Sequence, residues 1–144
     1  MEKSNSLIRG FYPGLVAGII GGMVFFLYVI FFSLYGIPDI TSFDFWLNYF
    51  IYQVGVQGIF GGIFGIIYSK FYDRVPGKGA RKGLVFGLII FLLGNFAYGT
   101  WHTIIGLSAG NESHLITAVN YFSAFLIWFI YGIVLGPIYE RWKF

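Results

Sequence analysis

The 144-residue chain reads as an all-α membrane protein: a four-helix transmembrane bundle built from two duplicated helical hairpins in parallel repeat. Three observations predict this. Hydrophobic residues make up 58% of the chain and charged residues 10%, against the roughly 25% charged residues of soluble domains, and mean hydropathy is +0.77. Four long runs, from Arg9 to Asp39, Asp44 to Lys70, Lys82 to Glu112 and Glu112 to Glu140, contain no Asp, Glu, Lys or Arg between their ends. Segments in the first half also recur in the second at a nearly constant offset.

Each run exceeds the roughly 20 residues a helix needs to cross about 30 Å of hydrocarbon. Strands of a membrane barrel would alternate in polarity, and segments such as 18–32 do not. The spans expected in one integral domain covering residues 1–144 are therefore 11–35, 45–69, 83–107 and 115–139. The first run is too long for a signal-peptide core and lacks a small-residue cleavage site behind it, so it reads as an uncleaved span.

Orientation follows from the nine basic residues. Lys3 and Arg9 precede the first span, Lys70, Arg74, Lys78, Arg81 and Lys82 lie between the second and third, and Arg141 and Lys143 follow the fourth. The opposite side carries only Asp39, Asp44 and Glu112. The positive-inside rule then puts both termini and the middle loop in the cytoplasm, in the inner membrane of a cell. Such one-sided charge argues against insertion both ways up and makes any homo-oligomer parallel. Trp46 and Trp101 near the outer boundary and Trp142 near the inner one suit interfacial anchoring, whereas Trp128 falls mid-span.

The repeat rests on three in-order matches. Gly14-Leu15-Val16-Ala17-Gly18-Ile19-Ile20 recurs as Gly83-Leu84-Val85-Phe86-Gly87-Leu88-Ile89 at an offset of 69. Asn48-Tyr49-Phe50 recurs as Asn120-Tyr121-Phe122, and the segment from Gly61 to Phe71 recurs from Gly132 to Trp142, at offsets of 72 and 71. Two spans per unit make the repeat parallel, with its axis along the membrane normal. Small residues four apart let membrane helices approach until their backbones touch. The chain has 21 glycines, and Gly18, Gly61, Gly65, Gly87, Gly132 and Gly136 are the expected packing positions. They sit toward the cytoplasmic half, while bulky aromatic residues fill the outer half. Any cavity is accordingly expected to open outward, unless the rings fill it.

Polar groups inside hydrocarbon are costly unless paired, so they give the candidate site. Gln53 and Gln57 on the second span, Asn95, Tyr98 and His102 on one face of the third, and Asn120 on the fourth form that set. Two readings stand for it: interhelical hydrogen-bond glue worth roughly 0.6 kcal/mol per bond, or the lining of a ligand path. The five loop bases, Lys70, Arg74, Lys78, Arg81 and Lys82, read as contacts to anionic lipid headgroups.

Much chemistry is excluded. Cysteine is absent, which removes disulfides, thiolate-ligated metals and iron–sulfur clusters. His102 and His114 stand at different depths, so no metal or haem site is expected, and no cofactor of any kind. No acid or base lies deep in a span, against proton exchange on a buried carboxylate. The Gly77-Lys78 pair fails the phosphate-loop pattern, because Tyr72 stands where its first glycine belongs. No enzyme and no nucleic-acid partner are expected.

Tyr68-x-x-x-Tyr72-Asp73-x-x-Pro76-Gly77-x-x-x-x-Lys82-Gly83-Leu84-x-x-Gly87 resembles the inter-helix segment of small multi-pass proteins of the YagU-like type, over about twenty residues. The resemblance implies a helical inner-membrane protein and supplies no chemistry. The leading functional reading is a non-enzymatic accessory or interaction subunit of a membrane assembly. The alternative is a small carrier or pore for a neutral or apolar solute, lined by the outer polar cluster.

Overall fold

The computed structural model describes residues 2–33, 43–96 and 114–142. The described residues form four α-helices and no strand: α1 (Glu2–Ser33), α2 (Phe43–Phe71), α3 (Gly79–Ile90) and α4 (His114–Trp142). Hydrocarbon offers no water to the backbone, so a chain this apolar satisfies its amides within helices. Three stretches, Ile8–Phe31, Trp46–Arg74 and Tyr121–Trp142, are long and apolar enough to cross a membrane. In each, only 28% of the most apolar window is buried inside the bundle. The remaining apolar surface faces outward and calls for lipid, as in a membrane protein.

The helices differ in detail from the expected spans. α1 begins well before residue 11, carrying the basic N-terminal turns as helix, and keeps the buried Pro13 inside it. α3 begins at Gly79 and passes into a π-helical turn, Phe91–Phe96. The expected end of the third span, to residue 107, lies outside the described residues. α2 and α3 are joined by a 3-10 turn, Tyr72–Arg74, closed by the Val75 amide donating to the Phe71 carbonyl at 3.1 Å. Gly77 and Gly79 take φ of 106° and 51°, which side-chain-bearing residues rarely adopt.

Packing proceeds in pairs. α1 lies against α2, α3 against α4, and α1 against α4. The first two contacts are glycine seams. A Cβ on Gly14 would strike the Gly61 carbonyl oxygen and stand 2.7 Å from Gly65 Cα, and one on Gly18 would strike the Gln57 carbonyl oxygen. Across α3 and α4, a Cβ on Gly83 would strike the Gly132 carbonyl oxygen and stand 2.9 Å from Gly136 Cα, and one on Gly87 would strike the Trp128 carbonyl oxygen. Such backbone contact gains dispersion over the whole seam that any side chain would forfeit.

Three rungs mark the α1–α4 contact. Tyr28 meets Phe122 at 6.4 Å, Gly21 faces the Ile127 carbonyl, and Tyr12 meets Trp142 at 6.3 Å. Far from the α2–α3 loop, Phe26 packs on Trp46, Tyr49 and Phe50 with ring centroids at 6.0, 6.3 and 4.9 Å, so rings fill the space between α1 and α2 there.

Candidate functional site

Two features stand out near the loop end: a buried aromatic and polar node, and an apolar cleft between α2 and α3. The node begins with spacing. Tyr131, Leu135 and Tyr139 follow one another at i+4 on α4, and all three are buried, as are Tyr68 on α2 and Tyr72 in the turn. Their rings pack edge to face and tilted: Tyr68 to Tyr139 at 5.2 Å, Tyr68 to Tyr72 at 5.5 Å, Tyr72 to Tyr139 at 4.8 Å, and Tyr68 to Phe86 of α3 at 4.9 Å. This cluster bridges α2 to α4 across the bundle, aided by the T-shaped pair of Phe64 and Trp128 at 5.0 Å.

Polar groups in the node serve the backbone. The buried Tyr131 hydroxyl donates to the Gly61 carbonyl at 2.8 Å, beside the α1–α2 seam. Glu140 Oε1 accepts from the Tyr72 hydroxyl at 2.8 Å and from the Gly79 amide at 2.6 Å. Gly79 is the first residue of α3, and Lys78 before it makes no side-chain cap. Glu140 therefore caps α3 from another helix, placing a carboxylate where the helix dipole is positive. Among the described residues, the Tyr68 hydroxyl is buried with no hydrogen-bond partner.

Lys82, expected as a headgroup contact, differs in exposure from the other four loop bases. It is only 8% exposed, and its ammonium sits 3.7 Å from the centre of the Tyr72 ring. On the first turns of α3 it points across to the Tyr72 turn, where a ring face receives its charge. Lys70, Arg74, Lys78 and Arg81 remain exposed.

The expected outer cluster is described only in part. Gln53 and Gln57 are half-buried on α2, with the Gln53 carbonyl and Gln57 Cβ 3.1 and 3.2 Å from where a Gly22 Cβ would stand, so this side of α2 meets α1. Asn95 falls in the π turn and Asn120 in α4, and their side chains, with the whole of Tyr98 and His102, lie outside the described residues.

The cleft encloses about 600 Å³, within the range of small-molecule sites. Phe64, Ile67 and Phe71 of α2 form one wall and Phe86, Ile89 and Leu93 of α3 with its π turn form the other, while Arg74, Val75 and Pro76 close the loop end. Glycine contrast between inner and outer halves did not reveal it. The seams close α1 on α2 and α3 on α4, and nothing in that contrast says how α2 and α3 meet. The node was equally hidden, although the Tyr68/Tyr139 repeat pair and the i+4 row on α4 were legible signals for it.

Comparison with protein-family models, with curated proteins and with solved structures gives no match to this chain.

Proposed function

We propose a four-span bundle made by duplication of a helical hairpin, with its termini and its α2–α3 loop in the cytoplasm. Equivalent contacts at constant offsets support the duplication. Gly10, Gly14 and Gly18 become Gly79, Gly83 and Gly87 at 69, and Gln57, Gly61 and Gly65 become Trp128, Gly132 and Gly136 at 71. The backbone atoms faced by Gly14 and Gly18 are matched by those faced by Gly83 and Gly87, whereas Gly79 meets the Glu140 carboxylate where Gly10 meets the α2 backbone. Tyr68 and Tyr139, equivalent at 71, pack against one another, as two copies of one residue do beside a pseudo-twofold axis. The orientation rests on the exposed Lys70, Arg74, Lys78 and Arg81, each worth about 1 kcal/mol on anionic headgroups. The chain has no cysteine, so Lys78→Cys tests it directly: labelling by an impermeant external reagent in intact cells reverses the orientation.

Within that frame the protein is a non-enzymatic accessory protein that acts through what docks on it sideways in the bilayer. One observation carries this reading. Apart from the Tyr68 hydroxyl, the described polar groups of the node are engaged in holding helices, whereas the cleft described between α2 and α3 is apolar. A path for a polar solute needs polar groups turned to a wet cavity. Purification in mild detergent, with identification of co-purifying proteins and lipids, is the test. A stoichiometric companion is expected; a companion-free protein that conducts a neutral solute in vesicles establishes the carrier instead.

A further inference from the structure

We infer that the α2–α3 cleft is a binding site for one anionic glycerophospholipid, with an acyl chain between the helices and the phosphate on Arg74. This rests on the lateral-docking reading above and names the occupant. Depth is the first argument. On α2, which is described on both sides of the cleft, the lining runs from Phe64 to Phe71, seven residues, or about 10 Å at the helical rise. That fits within one leaflet of a hydrocarbon core about 30 Å thick. A transmembrane helix of a partner would need the full thickness; one chain of a lipid needs this much.

Charge supplies the second argument. The walls are apolar, and the cation among the lining residues stands at the loop end, where a headgroup would be. The Arg74 guanidinium lies 5.6 Å from the centre of the Phe71 ring, itself part of the wall, which holds the fork near the mouth. A guanidinium binds phosphate through paired N–H donors. Exposed Lys70 at the end of α2, Lys78 in the loop and Arg81 in the first turn of α3 add positive potential at the same end, and exposed Asp73 opposes it. Asymmetry is the third argument. At an offset of 69, Ala17 and Gly21, on the face of α1 that meets α4, correspond to Phe86 and Ile90 of α3, which line the cleft. Small residues let one face close, and large ones hold the other apart to the width of a chain.

The test is native mass spectrometry of the full chain reconstituted in vesicles of equal parts phosphatidylglycerol and phosphatidylethanolamine. One phosphatidylglycerol per chain is expected on the unaltered protein. Arg74→Gln, at an exposed position, should lower its retention roughly tenfold, as loss of a charge-assisted contact does. Ile89→Trp, which fills the cleft, should abolish retention of either lipid. Arg81→Gln, a cation outside the cleft, should leave retention within about twofold, the size of a screened surface effect. Equal losses for Arg74→Gln and Arg81→Gln, or equal retention of both lipids by the unaltered protein, overturn the assignment. A bound protein crosslinked through position 89 in place of lipid overturns it too, while leaving lateral docking intact. Absence of any companion together with solute flux removes both.

Discussion

The α1–α4 and α2–α3 faces join the same two helix pairs, and under the proposed repeat they are counterparts, yet one is closed and the other holds a cleft of about 600 Å³. On the closed side, Ala17 is fully buried and Gly21 faces the Ile127 carbonyl. Their counterparts, Phe86 and Ile90, are large. Phe86 is buried against Tyr68 and wedges α3 away from α2. Two side-chain sizes, one turn apart, thus decide whether a helix pair packs on itself or presents a groove. The seams within each hairpin are alike, so the difference arises between hairpins.

The comparison breaks most sharply at the seams. Gly14→Leu and Gly83→Leu drive a side chain into carbonyl groups of the facing helix, so each should cost about 3 kcal/mol or more. Gly55→Leu, with open space around its position, should change stability by less than about 0.5 kcal/mol. Thermal unfolding in detergent measures all three. Tolerance of Gly83→Leu alone would mean that the hairpins are not held alike.

Exchanging the interface residues sharpens it next. Ala17→Phe with Gly21→Ile gives α1 the bulk of α3 and should destabilise by about 2 kcal/mol through overpacking, with a rise in crosslinking distance between α1 and α4. An unchanged distance would show that side-chain size does not set the opening.

Glu140→Ala should follow, at about 2 kcal/mol, because it strips the α3 amide cap and the Tyr72 hydroxyl of their shared acceptor. Hydrogen exchange should rise first at the start of α3, near Gly79. Uniform acceleration across all helices would remove the local cap as its cause. Tyr131→Phe is milder than the Glu140 change, at about 1 kcal/mol for one hydrogen bond, since the Gly61 carbonyl keeps its place in α2.

Hydrophobic run length and charge placement are local quantities, and they made the helices legible along with the three membrane-length stretches. The spacing of small residues is local too, and it supplied the expected packing glycines. Partners across the fold were beyond their reach. Glu140 meets Tyr72 across 68 residues of chain. Lys82, one of five similar loop bases in the sequence, turns inward because the Tyr72 turn places a ring face within 3.7 Å of its ammonium. Gln53 and Gln57 read as lining or glue from spacing alone, and packing puts their side of α2 against α1. Pattern along the chain sets what each helix can bury, and the relative size of residues brought together from distant helices sets which faces close.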